Sequence, residues 1–157
     1  IKQALISDKN LWEEITKTPF EELDWEEIIS KTIQLKNSIV ISDPNEKGIR
    51  KKLNFGHTFG HAIESYYLEK GNPILHGEAI FMGILLETEL SDLSYSKKNR
   101  IKNYILSNFE LPYIPNQKKL LKFLKNDKKN KEKKMNFSLL EGIGNCSIDN
   151  LISEDEL

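Results

Sequence analysis

The sequence predicts a mainly α fold with a short β-hairpin near the C-terminus. Apolar residues recur every three to four positions in several segments, which is the period of an amphipathic helix. Prolines and glycines separate these segments. Strand-like patterns occur late in the chain, in MNFSLL (135–140) and in IGNCSI (143–148). With 157 residues and no internal repeat, residues 1–157 are predicted to form a single, mainly helical domain.

Capping residues mark the first two predicted helices. Asp8 precedes an amphipathic stretch over 9–17, and Asp24 precedes a longer one over 25–41. An aspartate in this position accepts a hydrogen bond from a free N–H group of the first turn. Both helices are therefore expected to begin directly after their aspartate.

The third predicted helix carries most of the residues that suggest chemistry. It follows SDPNEKGI (42–49), which is a loop by its proline, asparagine and glycine content. The helix is predicted to run from Arg50 to about Tyr67, where EKGNP (69–73) ends it.

Three further features complete the predicted helical part. The segment over 76–93 is apolar on most sides, so its helix is expected to be the buried one. Ser96 precedes an amphipathic helix over 97–109. After LPYIPN (111–116), a short basic helix is predicted over 117–126.

Composition argues against several classes of protein. The net charge of -1 gives no overall attraction to nucleic acid or to an anionic membrane. No apolar run reaches the roughly 20 residues that a membrane span needs. The single cysteine, Cys146, rules out an internal disulfide and fits a cytoplasmic location. The chain starts at Ile1 without a signal-peptide pattern, and we interpret it as part of a longer protein.

The three histidines of the chain fall between positions 57 and 76. On a helix, His57 and His61 would share a face, and His76 follows after the next turn. The spacing is typical of a zinc pair, and any two of the three could serve as ligands. Thr58 stands where zinc-protease helices have a glutamate, so a peptidase is not indicated. The alternative is that they are three ordinary histidines at helix ends. Their close spacing in the sequence argues against this alternative.

A second group of polar residues precedes the histidines. Arg50 and Asn54 continue the spacing of His57 and His61 in steps of four, three and four, as expected for one helix face. An arginine, an amide and two imidazoles suit an anionic, oxygen-rich ligand, because the guanidinium binds a carboxylate through two hydrogen bonds. A merely solvated face would more often show glutamate and lysine.

These motifs resemble 3-dehydroquinate synthase. The resemblance rests on KGIRKKLNFGHTFGHAIE (47–64) and LHGEAIFMGI (75–84), and it continues in IKQALISD (1–8) and in residues 126–144. Related sugar-phosphate cyclases, such as 2-deoxy-scyllo-inosose synthase, share much of the pattern. The resemblance implies the helical, metal- and substrate-binding C-terminal domain, with an NAD-binding α/β domain upstream of position 1.

The resemblance also assigns roles around the histidine cluster. It implies that His57 and His76 bind zinc, for which cobalt can substitute. It implies catalytic roles for Lys2 and His61, with His61 on the phosphate side of the substrate. The third zinc ligand of the family is a glutamate three places before the residue that matches Lys2, which falls before Ile1.

Further substrate contacts follow residue by residue from the resemblance. Lys36 and Arg50 match residues that hold the substrate carboxylate and ring hydroxyls. Asn54 matches a phosphate-side contact, and Glu46 matches an acidic residue that supports this group. Lys128 matches a lysine that reaches the phosphate, although the adjacent Lys129 fits nearly as well.

The implied reaction converts 3-deoxy-arabino-heptulosonate 7-phosphate to 3-dehydroquinate and phosphate. It is a step of the shikimate pathway of aromatic amino acid biosynthesis. NAD takes up a hydride and returns it within one turnover, and the family's proteins are usually homodimers. We expect these 157 residues alone to be inactive, since the glutamate and the NAD domain would lie upstream.

Two alternatives to this function remain at the level of the sequence. A sister cyclase would act on another sugar phosphate, but Lys36 and Arg50 favour a substrate with a carboxylate. A non-catalytic zinc- or phosphate-binding module would have lost its partner domain. The joint presence of the three histidines, Arg50 and Asn54 argues against such decay.

Overall fold

A computed structural model describes residues 1–125 and 134–157, and the mainly α prediction is confirmed for them. Within these ranges the α-helices are α1 Lys2–Ser7, α2 Lys9–Lys17, α3 Trp25–Ser42, α4 His57–Glu69, α5 His76–Leu90, α6 Tyr95–Asn108 and α7 Gln117–Leu124. Short 3₁₀ turns cover Phe20–Glu22, Ile49–Asn54 and Glu154–Glu156, and the strands are β1 Lys134–Gly142 and β2 Asn145–Ser153.

The capping predictions for α2 and α3 are confirmed. Asp8 Oδ1 accepts from the Leu11 N–H at 3.0 Å, and Asp24 Oδ1 accepts from the Glu27 N–H at 3.1 Å. The prediction for Ser96 is wrong, because α6 already begins at Tyr95 and its N-cap residue is Ser94.

The predicted β-hairpin is present and longer than the sequence suggested. Strands β1 and β2 pair antiparallel, with Met135 opposite Ile152 and Leu140 opposite Cys146. The turn docks onto the start of the chain, where the Gly144 N–H donates to the Leu5 carbonyl at 2.8 Å.

Helix α5 is the buried centre of the domain, as predicted. One side contributes Ile84 to a core that includes Trp12 of α2 and Ile101 of α6. The other side contributes Met82 to a second core, which includes Phe59 of α4. A helix with apolar neighbours on both sides needs apolar residues around most of its circumference.

The prediction of one continuous helix from Arg50 to Tyr67 is wrong. The chain forms a 3₁₀ turn over Ile49–Asn54, and α4 begins only at His57. Between them Gly56 adopts a left-handed conformation with φ 82°, which interrupts a right-handed helix and which side-chain-bearing residues rarely adopt. Arg50 and Asn54 are therefore not on the helical face that carries the histidines.

Glycines allow α4 and α5 to pack at backbone distance. A Cβ atom added to Gly83 would lie 2.0 Å from the Gly56 carbonyl oxygen, and one added to Gly60 would lie 2.8 Å from Ile80 Cδ1. Gly83 faces the start of α4, and Gly60 faces the first turns of α5, so the two helices run antiparallel. This packing fixes the position of α4 relative to α5.

None of the helices in residues 1–125 and 134–157 combines the length and the apolar character needed to cross a bilayer.

Candidate functional site

The three histidine rings converge on one surface of the α4–α5 pair. The centroids of His57 and His61 are 5.3 Å apart, those of His57 and His76 are 5.8 Å apart, and those of His61 and His76 are 6.2 Å apart. His57 and His61 are one turn apart on α4, whereas His76 is the first residue of α5. The antiparallel packing of the two helices therefore assembles the cluster.

Each candidate metal ligand has an oxygen acceptor near its Nδ1 atom. His57 Nδ1 lies 3.3 Å from the Phe55 carbonyl oxygen, and His76 Nδ1 lies 3.1 Å from Glu64 Oε1. An acceptor there favours the tautomer with a proton on Nδ1. The lone pair then resides on Nε2, which is the nitrogen available to a metal ion.

The surroundings of His57 keep its imidazole neutral. Burial and, second, the positive charge of Lys2 lower the pKa of His57 from its ordinary 6.5 to about 4. A neutral imidazole is the form that binds a metal ion, so the ring needs no deprotonation at neutral pH.

Lys2 lies beside the histidine cluster, and its pKa is lowered there. Its Nζ donates to the Leu53 carbonyl at 2.7 Å and lies 3.5 Å from His57 Nδ1. Burial and the charge of Lys36 lower its pKa from 10.5 to about 8. A lysine with a pKa near neutrality can exchange a proton under physiological conditions, which is typical of catalytic lysines. Lys36 itself is exposed on α3.

Glu46 and Asn54 form a second polar group. Asn54 Nδ2 donates to Glu46 Oε1 at 2.7 Å. Both residues line a cleft of ≈ 380 Å³ that the hairpin helps to form; its lining residues are Glu46, Lys51, Asn54, Thr58, Asn136, Phe137, Ser138 and Asp149. This hydrogen bond orients the Asn54 amide.

One expected substrate contact, Arg50, is engaged by a loop carbonyl, and another lies outside the described residues. The Arg50 guanidinium donates through one of its NH groups to the Pro44 carbonyl at 2.8 Å. Lys128 and its alternative Lys129 lie outside the described residues. The structure therefore groups Lys2 with the three histidines, and Glu46 with Asn54.

Glu87 is a residue of the site that sequence reasoning missed. This fully buried carboxylate of α5 accepts from the Gly56 N–H at 2.5 Å and from the Phe59 N–H at 3.1 Å. It thereby satisfies free N–H groups at the start of α4, next to His57. The signal in the sequence was an acidic residue within an apolar helix that is buried nearly all round, where a charge needs partners.

Glu87 also predicts how stability depends on pH. Burial raises its pKa from 4.5 to about 8, against the opposing N–H donors and Lys2. The folded state therefore holds this proton more tightly than the unfolded state, and stability falls as pH rises from 4.5 to 8. Glu87→Gln should remove this part of the slope. The substitution should also lower the free energy of unfolding by about 1–3 kcal/mol at pH 5, because the NH₂ group of the glutamine would face a backbone N–H donor.

Urea unfolding of the two proteins at pH 5, 6.5 and 8 measures this difference. Parallel dependence of the unfolding free energy on pH in both proteins would contradict the assignment to Glu87.

The histidine cluster supplies some of the ligands that a metal ion needs. Within residues 1–125 and 134–157, no three histidine, cysteine, aspartate or glutamate side chains are arranged as a complete ligand set. Two imidazoles on one tetrahedral zinc ion have centroids roughly 5 Å apart, because each Zn–N bond is about 2 Å. The separations of 5.3 Å for His57 and His61 and of 5.8 Å for His57 and His76 are both close to this value, so the distances alone do not select one pair. The chain thus offers a pair of imidazole donors, which need a further ligand.

Comparison with known proteins extends this description. A family model described as 3-dehydroquinate synthase C-terminal matches residues 1–130. A 3-dehydroquinate synthase of Parabacteroides distasonis is 31% identical over 166 residues, covering 100% of this chain and 47% of the relative. The corresponding protein of Thermoanaerobacter pseudethanolicus is 34% identical over 169 residues, with the same coverage. The chain thus spans about half the length of these curated relatives.

Solved structures share the fold. A 2-epi-5-epi-valiolone synthase from Streptomyces hygroscopicus, with NAD⁺ and Zn²⁺ bound, superposes with a TM-score of 0.77 at 20% identity. The match covers 99% of this chain and 46% of that one. A 2-deoxy-scyllo-inosose synthase with carbaglucose-6-phosphate, NAD⁺ and Co²⁺ gives a TM-score of 0.72 at 23% identity, covering 96% and 46%. Because the family model matches most of its length, the chain belongs to the 3-dehydroquinate synthase C-terminal family.

Proposed function

We propose that this chain is the metal- and substrate-binding part of a 3-dehydroquinate synthase. The reaction is the conversion of 3-deoxy-arabino-heptulosonate 7-phosphate to 3-dehydroquinate and phosphate in the shikimate pathway. The observation that carries the proposal is the convergence of His57, His61 and His76 beside Lys2, in a chain of this family.

His57 and His76 would hold the metal ion through their Nε2 atoms. Zinc is the proposed metal, with cobalt as a substitute, and the further ligand is a glutamate three places before Lys2 in the full-length protein. When bound, the metal polarises a substrate hydroxyl and NAD accepts and returns a hydride there. The neutral imidazole of His57 supports this assignment, because a protonated ring cannot bind a metal ion.

His61 and Lys2 would act on protons and on the phosphate side. Lys2, with its pKa lowered to about 8, can donate a proton to a substrate oxygen and recover it near neutral pH. His61 is exposed next to both candidate metal ligands, where a substrate bound by the metal would reach it.

The remaining polar residues would position the substrate. Lys36 and Arg50 would bind the carboxylate, for which the Arg50 side chain must leave the Pro44 carbonyl. Asn54, oriented by Glu46, and Lys128 would bind on the phosphate side. Cationic and amide groups of these types would match a substrate that carries both a carboxylate and a phosphate.

Phosphate release by the full-length natural protein tests this function. With NAD and zinc present, we compare 3-deoxy-arabino-heptulosonate 7-phosphate with glucose 6-phosphate and sedoheptulose 7-phosphate. We expect release from the first compound alone, because only it offers a carboxylate to Lys36 and Arg50. Release from either of the two sugar phosphates that lack a carboxylate would instead assign the protein to a sister cyclase.

A further inference from the structure

The contact between Glu64 and His76 joins the two helices at the edge of the histidine cluster. Glu64 projects from α4, and His76 is the first residue of α5. Glu64 Oε1 lies 3.1 Å from His76 Nδ1, with the side chains 33% and 59% exposed respectively. The exposed imidazole of His76 is thus held by a carboxylate.

This contact determines which nitrogen of His76 carries the lone pair. The carboxylate accepts a hydrogen bond from Nδ1–H, so Nε2 carries the lone pair. His57 has the same arrangement, but its acceptor is the Phe55 backbone carbonyl at 3.3 Å. One of the two proposed ligands is therefore oriented by the main chain and the other by a side chain.

We propose that Glu64 is a positioning residue that orients His76 for metal binding. The proposal rests on the metal-binding role of His76 in the function above. Carboxylates in this position fix the tautomer and the ring orientation of metal-binding histidines and raise the basicity of the ligand nitrogen. An imidazole as exposed as His76 would otherwise rotate among several rotamers, and binding would have to restrict it.

A plain surface ion pair is the competing explanation, and the neighbouring carboxylates argue against it. Glu78, two residues after His76, accepts from the Leu75 N–H at 2.8 Å and so caps the start of α5. Glu69, one turn beyond Glu64 on α4, pairs with Lys122 at 2.6 Å. Glu64 differs from both because its partner belongs to the histidine cluster.

Zinc affinity of the full-length protein, measured by competition with a chelator, tests the proposal. Glu64→Ala removes the carboxylate that contacts His76 Nδ1, and it should weaken zinc binding about 10- to 100-fold. Glu64→Gln should weaken it less, because the amide keeps an acceptor oxygen for Nδ1–H. Glu69→Gln, the matched control on the same helix, should leave the affinity within about twofold, since it removes only a surface ion pair.

Nitrogen NMR of His76 in the metal-free protein provides a second measurement. We expect the Nδ1–H tautomer in the wild type and a mixture in Glu64→Ala. Unchanged zinc affinity in Glu64→Ala, with the wild type binding zinc, would overturn this inference alone. A wild type that binds no zinc would overturn both this inference and the metal site of the proposed function. A zinc affinity lowered equally by Glu69→Gln would reduce the role of Glu64 to general surface charge.

Discussion

Replacing His57 with alanine is expected to abolish zinc binding and to slow phosphate release sharply while leaving the fold intact. The ring supplies one of two imidazole donors, and Lys2 beside it is mostly in its cationic form at neutral pH, which has no lone pair for a metal ion. A bound metal contributes several kcal/mol of charge stabilisation, so kcat should fall about 10²- to 10⁴-fold. Zinc content and phosphate release, with circular dichroism as the check on folding, measure these effects in the full-length protein.

His61→Ala is the matched control for this prediction. His61 lies one turn further along α4, with its ring centroid 5.3 Å from that of His57. This variant should keep its zinc and lose turnover, because His61 is assigned to the substrate rather than to the metal. Loss of zinc from His61→Ala together with its retention in His57→Ala would reverse the assignment of the two residues.

Gly83→Ala is expected to be the most destabilising single methyl addition in the α4–α5 pair. Its Cβ would lie 2.0 Å from the Gly56 carbonyl oxygen and 2.7 Å from the Gly60 nitrogen. Both contacts are with backbone atoms, which cannot rotate away as a side chain would. Overpacking of this kind lowers the free energy of unfolding by about 1–3 kcal/mol in ordinary cores. Here the added methyl group would force two helices apart, so we expect a loss at the upper end of this range or beyond it. Thermal and urea unfolding measure it.

Gly77→Ala provides the control in the same helix. A Cβ atom at Gly77 would meet no atom within 4 Å. Alanine is also favoured over glycine in helices by up to about 1 kcal/mol, so this variant should be as stable as the wild type or slightly more stable. Equal stability of the two variants would show that α4 and α5 do not pack at the distance described.

Local signals were sufficient for much of the fold. Asp8 and Asp24 cap their helices through hydrogen bonds to residues three positions ahead, so the sequence alone contains both partners. The burial of α5 was also predictable, because its apolar residues surround the helix. The hairpin was underestimated, since β2 lacks a regular alternation of apolar and polar residues and carries many polar ones.

Features that depend on tertiary contacts were harder to predict from the sequence. The spacing from Arg50 to His61 fits a continuous helix, and only the packing of Gly56 against α5 explains the left-handed break. Likewise, Glu87 and Glu64 could not be linked to the site from the sequence, because their partners are 31 and 12 positions away. The three histidines were found because their residue type is rare in the chain and their positions are close together.

The proposed function is tested most directly by following the whole reaction in one sample. The full-length protein is supplied with zinc, a catalytic amount of NAD and 3-deoxy-arabino-heptulosonate 7-phosphate, and NMR follows products while absorbance follows NADH. We expect one 3-dehydroquinate and one phosphate per substrate consumed, with no net NADH. Phosphate release without the carbocyclic product, or NADH accumulating in step with substrate loss, would contradict it.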